Sequence, residues 1–446
     1  MDMKLWQKSV EVDALVDQFT VGRDREMDAN LAKADILGSL AHTKMLASVG
    51  LLSEEELELV QKGLKEIFKS VEDGTFVIED GVEDIHSQVE LQLTQMIGSA
   101  GGKIHSGRSR NDQVLVDLKI FLRSEIQEIV ELCNELFATL TRLSEQHKDT
   151  LMPGYTHLQI AMPSSFGLWL GAYAESLVDD CQSVLAAYKL CNKNPLGSAA
   201  GYGSSFPLDR EMTTRLLGFD TLNYNSIYAQ MSRAKCEQSV AVALASLAAT
   251  LSRFAMDNCM FMSQNFGFVS YPDNYTTGSS IMPHKKNPDV WELIRGKCNI
   301  IRALPNTISL LTTNLPIGYN RDMQLLKEQL FPSIFEMKSV LHMANVMLSE
   351  IRVNKGVVDD KRYDYIFSVE SVNALVLEGV PFREAYKKVG LDIEAGNYTP
   401  NREVNHSHAG SIGCLCTEQI KEMFSSIIGE FNFERKSEAE ENLINN

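Results

Sequence analysis

The sequence predicts an all-α protein with an elongated bundle of long helices at its centre. Three observations carry this. Apolar residues step by threes and fours over an unusually long stretch: Leu115, Leu118, Leu122, Ile126, Ile129, Cys133, Leu136, Leu140 and Leu143. Further periodic stretches lack internal caps, as in bundles and coiled coils. Few windows alternate with period two, so any sheet is minor. On this pattern residues 1–110 form a mostly helical N-terminal part. Residues 111–356 form the long-helix middle, and residues 357–446 a small helical C-terminal part.

The elements follow in order. Leu31, Ile36, Leu40 and Met45 mark a helix over Asp28 to Leu52. Ser53 and Glu56 have the spacing of a capping box and open a helix through Leu57, Val60, Leu64 and Phe68. Asp73-Gly74 ends it. Glu83-Asp84-Ile85-His86 opens another, which the glycines at 98, 101, 102 and 107 break. After Ser106 to Gln113 the first long helix begins, roughly 45 Å in length at 1.5 Å per residue. A loop from Leu151 to Pro163 leads to a second helix, Ser164 to about Leu190. The third runs from about Gln230 to Gln264. Val240, Leu244, Leu247, Leu251 and Phe254 form its seam, with alanines between them. Apolar nearly all round, it belongs at the centre of a bundle and at a subunit interface. The fourth, Val290 to about Leu311, is interrupted at Pro305. The fifth, about Met323 to Ile351, is kinked near its start by Pro332. Short helices at Ser368 to Glu378 and Pro381 to Val389 follow, and the polar end, Glu434 to Asn446, is expected to fray.

At 446 residues the chain has room for two or three domains. A net charge of −17 speaks against nucleic acid or an anionic membrane as partner, but leaves room for an anionic small substrate in a local positive site. No window reaches transmembrane length, and Met1 to Val10 has no apolar core of a signal peptide, so a cytoplasmic location is expected. None of the eight cysteines forms a C-x-x-C pair, and Cys414-Leu-Cys416 has no second half at zinc spacing, so no metal is expected. Neither a G-x-G-x-x-G after a strand nor a Walker A motif occurs, so no cofactor is expected.

Five polar clusters lie at loops or helix starts: Glu83 to His86, Ser106 to Asp112, Gly154 to His157, Thr276 to Glu292, and Tyr319 to Lys327. Singly, each has an ordinary reading. Asp112 suits a helix first turn, as does Glu292. His157 could be a loop histidine and Lys327 a surface lysine. Thr276 to Glu292, T-T-G-S-S-I-M-P-H-K-K-N-P-D-V-W-E, fits a solvated linker and a ligand loop equally well. Together the clusters supply cations, amides, hydroxyls and a histidine with a carboxylate. Such a set suits a polyanionic substrate and proton transfer. A proton abstracted beside a carboxylate leaves an enolate-like charge that needs fixed N–H donors and cations.

G-S-S-I-M-P-H-K-K-N-P, from Gly278, resembles the signature G-S-S-x-M-P-x-K-x-N of the fumarase/aspartase superfamily. S-G-R-S-R-N-D-Q, E-D-I-H, G-Y-T-H-L-Q, P-L-G-S at Pro195 to Ser198, and the spacing of Tyr319, Gln324 and Lys327 resemble the argininosuccinate lyase family within it. The likeness spans roughly Asp28 to Arg383. It implies a three-domain helical subunit whose long helices build the core of a homotetramer, with active sites shared between subunits. It also implies reversible elimination of argininosuccinate to arginine and fumarate.

By that resemblance Ser279 is the base, and Lys285 and Asn287 hold the carboxylate that takes up charge. His157, paired with Glu292, is the acid, although acid and base could exchange between Ser279 and His157. Arg110, Asn111 and Thr156 hold carboxylates. Tyr319, Gln324 and Lys327 hold the arginine end, and Asp84 and His86 shape the pocket. The chain departs from the family pattern after Leu5-Trp6, at Arg233-Ala234-Lys235, and at Tyr386. Alternatives are another lyase of the superfamily, such as adenylosuccinate lyase or aspartase, against which S-G-R-S-R-N-D-Q speaks. From a different class come a crystallin-like structural protein and a helical scaffold.

Overall fold

A computed structural model of the chain describes residues 13–445, so the departure after Leu5-Trp6 lies outside the described residues. Two short helices, α1 (Ala14–Val21) and α2 (Asp24–Asp28), lead into α3 (Ala32–Ser48), α4 (Glu54–Glu72) and α5 (Ile85–Ile97). The capping box of α4 is formed. Ser53 Oγ accepts from Glu56 N at 3.2 Å, and Glu56 Oε2 accepts from Ser53 N at 3.1 Å.

Helix α6 (Arg110–Gln146) is the longest at 37 residues, roughly 55 Å. It starts three residues before Gln113 because Ser109 and Asp112 form a second capping box. The stretch 151–163, read as a loop, is a hairpin: β1 (Leu151–Thr156) pairs antiparallel with β2 (Gln159–Ser165). Pro153, Gly154 and Pro163 hide its alternation. Helix α7 (Phe166–Cys191) returns along α6. Short helices α8 (Arg210–Leu216) and α9 (Ser226–Met231) precede α10 (Lys235–Met262). The predicted third helix is divided there because Ala234 takes φ 66°, outside the helical region.

Helices α11 (Asp289–Ile301) and α12 (Leu304–Leu311) replace the predicted fourth helix. Pro305 does not sit in a helix interior but in the first turn of α12, where a missing N–H does no harm. Helix α13 (Leu325–Ser349) carries Pro332 internally. Then come α14 (Ser368–Leu377), α15 (Phe382–Glu394), α16 (Thr417–Gly429) and α17 (Phe433–Asn445). The expected fraying of the C-terminal end is overturned. In α17 Leu443 and Lys436 are buried, and Arg435 donates to Phe219 O at 2.7 Å. Its polar sequence conceals a buried stripe in which Leu443 is joined by the stem of Lys436.

One continuous core joins α3, α6, α7, α10 and α13, and a satellite of Val372, Ala385 and Val389 links α14 to α15. Trp169 Nε1 and Tyr173 Oη both donate to Asp257 Oδ2, at 3.0 and 2.6 Å, tying α7 to α10. By length and composition Ser226–Met262 is apolar enough to cross a membrane, contrary to the sequence reading. In the fold its seam residues Val240, Leu244, Leu247, Leu251 and Phe254 are packed inside the bundle. Its outer face stays open, with Val242 and Met256 exposed.

Candidate active site

The start of α6, the start of α5, the short helix α2 and the approach to α13 converge on one cavity of about 240 Å³. Seven predicted residues line it: Asp84, His86, Arg110, Asn111, Tyr319, Gln324 and Lys327. Local chemistry aims each of them. Asp84 is the N-cap of α5, accepting from Ser87 N at 2.8 Å and Ser87 Oγ at 2.7 Å. Arg110 opens α6 and donates from Nη1 to Glu83 at 2.9 Å, with Asp84 3.2 Å away. Asp112 Oδ2 accepts from Gly197 N and Ala199 N, at 2.9 and 2.8 Å, which moors the P-L-G-S segment to the helix start. Gln324 Nε2 donates to Thr20 O at 3.0 Å and closes the cavity from the N-terminal side.

Lys327, weighed as a surface lysine or a substrate ligand, is buried at 3 % exposure and already ion-paired with Asp24 (2.6 Å) and Asp28. Burial opposes its charge, but Asp28 and Asp24 outweigh that and hold its pKa above the usual lysine value. Asp24 is pushed up to about 6, first by burial and then by Asp28, with Lys327 pulling the other way. Burial likewise works against the Asp84 carboxylate, yet His86 and Arg110 hold its pKa below the ordinary range. The cavity is therefore a mosaic of opposed charges.

Five charged lining residues escaped the sequence reading as site residues: Asp24, Asp28, Glu83, Arg233 and Arg321. The i, i+4 spacing of Asp24 and Asp28 was a usable signal, since it sets both carboxylates on one helix face. Arg233 stood out only as a departure. It donates from Nη2 to Met323 O at 2.9 Å and sits beside Tyr319 and the buried Glu237.

The other predicted residues lie elsewhere in the single chain. Thr156 and His157 occupy the exposed tip of the β1–β2 hairpin. His157 and Leu158 take φ 53° and 58°, a left-handed pair closing a two-residue turn. A non-glycine residue in this region costs about 1–2 kcal/mol. Leu158 is 79 % exposed, so packing does not account for the strain.

The 276–288 segment is a small hairpin, Thr277–Gly278 paired with Lys286–Asn287. Lys285 is exposed, and Asn287 Nδ2 donates to Thr277 Oγ1 at 3.4 Å. Ser279 Oγ accepts from two backbone amides, Ile281 N at 3.3 Å and Met282 N at 3.1 Å. Glu292 is an exposed residue in the first turn of α11. Among the described residues no hydrogen bond or ion pair joins His157 to Glu292 within one chain.

A family model described as lyase matches residues 7–302. Solved structures share the fold. An EDDS lyase in complex with formate has a TM-score of 0.74 at 23% identity, covering 98% of this chain and 95% of its own. A class II fumarase from Schistosoma mansoni has a TM-score of 0.69 at 16% identity, covering 93% and 95%. The class is thus that of the fumarase-like, all-α lyases. Curated relatives refine it. Argininosuccinate lyases of Parabacteroides distasonis and Bacteroides thetaiotaomicron are 61% and 60% identical, covering 100% of this chain and of each relative. That of Thermotoga neapolitana is 38% identical over 87% of this chain and 98% of its own. The chain belongs to the argininosuccinate lyase family and is a carbon–nitrogen lyase.

Proposed function

We propose that the chain cleaves argininosuccinate reversibly into L-arginine and fumarate, in sites completed between the subunits of a homotetramer. One observation carries this. Seven residues of the family pattern gather around one inward-facing cavity, while Ser279 and Lys285 share one outlying hairpin and His157 sits at the tip of another. Partial sites of that kind call for neighbouring chains. The exposed apolar side chains Val242, Met256, Leu293 and Ile300 on α10 and α11 offer a surface for them.

In the proposed reaction Ser279 Oγ removes the β-proton of the succinyl group. The electron pair passes through an aci-carboxylate held by Lys285 and Asn287, and the C–N bond breaks as fumarate's double bond forms. His157, steadied by Glu292 of another subunit, gives a proton to the departing guanidino nitrogen. The two amides donating to Ser279 Oγ favour its anionic form, which answers the weakness of a serine hydroxyl as a base. Thr156, Arg110 and Asn111 take carboxylates, and Tyr319, Gln324 and Lys327 define the arginine end. Free thiols at all eight cysteines support a cytoplasmic location. Incubating the purified protein with argininosuccinate and following fumarate absorbance tests the reading. Absence of fumarate together with turnover of adenylosuccinate overturns it.

A further inference from the structure

Beneath the cavity three buried side chains meet. Asp35 comes from α3, His86 from the first turn of α5 and Asp117 from α6. The two aspartate side chains are 0% exposed and His86 is 5% exposed. His86 Nδ1 lies 2.8 Å from Asp35 Oδ1 and 3.3 Å from Asp117 Oδ2. Gln113 Nε2 also donates to Asp35 Oδ1, at 2.8 Å. Asp35 Oδ2 and both oxygens of Asp117 accept nothing. The facing atoms of the three residues lie within 4.8 Å of one another. Gly38 allows this approach of α3 to α6. A Cβ there would stand 3.3 Å from Val116 Cγ1 and 3.5 Å from Asp117 Oδ1.

Two carboxylates sharing a dry site do not both ionise. Orphaned buried oxygens are costly, about 1–3 kcal/mol each. A single proton between the aspartates removes the repulsion, joins one Asp117 oxygen to Asp35 Oδ2 and leaves one negative charge, which an imidazolium at His86 matches. Asp35 already accepts from His86 and Gln113, so it keeps the charge, and Asp117 keeps the proton and donates it to Asp35.

The electrostatics agree. Burial and then the Asp35 charge push Asp117 well above the carboxylate range. Burial opposes ionisation of Asp35, but His86, Arg108 and Gln113 outweigh it and hold its pKa down. Burial also opposes charge on His86, yet Asp35, Asp84 and Asp28 outweigh it and hold its pKa up. Besides these acids, the nearby charged or titratable groups are Glu90, Arg108, Arg110 and His105, with Lys327 paired to Asp28.

We propose that Asp35 and Asp117 act as a one-proton acid pair that fixes His86 as an imidazolium, so the cavity floor presents a fixed, charge-assisted N–H donor to a substrate carboxylate. Asp35 and Asp117 are positioning residues, and Nε2 of His86 is left for the cavity that the ring lines. The carboxylate ligand rests on the proposed reaction, but the state of His86 does not.

Titrating the full-length protein, labelled with 13C-histidine, by NMR reads that state directly, with His86→Gln assigning the signal. His86 should remain protonated at pH 8. Asp117→Asn keeps an N–H donor toward Asp35 and should leave the His86 titration in place. Asp35→Asn should bring it down through neutrality and lower kcat/KM by about 10–100-fold, the range for residues that orient a site ligand. That loss should deepen as pH rises from 6 to 8. A neutral His86 at pH 7 in the unaltered protein overturns the proposal, as does an equal shift in both variants. Should Asp35→Asn fail to fold, the titration of the unaltered protein decides alone. A protein that shows a charged His86 but makes no fumarate would refute the proposed reaction and leave the acid pair standing.

Discussion

In the proposed reaction Ser279 acts as base with the help of the amides of Ile281 and Met282, which donate to its Oγ. Ser279→Ala should therefore cut kcat by about 10²–10⁴-fold, the contribution of a positioned general base, and leave the fold intact. Near-normal turnover would remove Ser279 from that role. Lys327 carries a double load. Lys327→Ala should raise KM and also destabilise the protein by about 3–5 kcal/mol, because Asp24 and Asp28 lose their buried counter-ion. Denaturation with urea beside steady-state kinetics separates the two effects, and unchanged stability would refute the buried pair.

His42 gives a pH dependence. Burial first, then the Arg108 charge, depress its pKa to about 3, against the hydrogen bond its Nε2–H makes to Ser106 O at 2.8 Å. The folded chain keeps His42 neutral while the unfolded chain takes up a proton below about 6.5. Its contribution is thus complete above pH 6.5 and is lost as pH falls toward 3. Asp24 and Asp112, both raised to about 6, act in the opposite sense between pH 4 and 6. The difference between the unaltered protein and His42→Gln isolates the histidine. Between pH 7 and pH 5 the variant should lose about 2 kcal/mol less unfolding free energy. Parallel losses would show that His42 does not titrate this way.

At the level of elements, α7 meets the end of α6 through Gly167. A Cβ there would stand 2.5 Å from Ser144 O and 2.6 Å from Lys148 Cα, both backbone atoms that cannot turn aside. Gly167→Ala should destabilise by about 1–3 kcal/mol, seen as a lowered Tm, with KM unchanged in the protein that folds. Unaltered stability would mean that the two helices slide apart freely. Periodicity located α6, α7 and α13 to within a few residues because their seams are long and apolar. It failed at the β1–β2 hairpin, where prolines and a bulge break the alternation, and at α17, whose buried stripe is mostly polar in type.

Across the whole molecule the single chain leaves apolar side chains open along α10 and α11, among them Ile300 at 74 % exposure. Sedimentation should show a tetramer, and Ile300→Asp should yield smaller species with little activity. A stable, fully active monomer would refute the shared site. Mixing separately inactive His157→Ala and Arg110→Gln chains under dissociating conditions should restore activity, because some reassembled sites then hold only unaltered residues. No recovery would place both residues in a site built by one chain.

By itself the sequence determined the helical class, the long seams and the signature loops, since these are written in spacing and local residue type. Arg110, Asn111 and Lys327 were legible in the same way, each within a recognisable cluster. Only the tertiary structure decided that Lys327 is spoken for by Asp24 and Asp28, that Arg233 and Arg321 join the cavity, and that Asp35 and Asp117 meet under His86. Burial and opposed charge depend on which distant segments touch. Asp35 and Asp117 lie 82 positions apart in the chain, and no local pattern records their meeting.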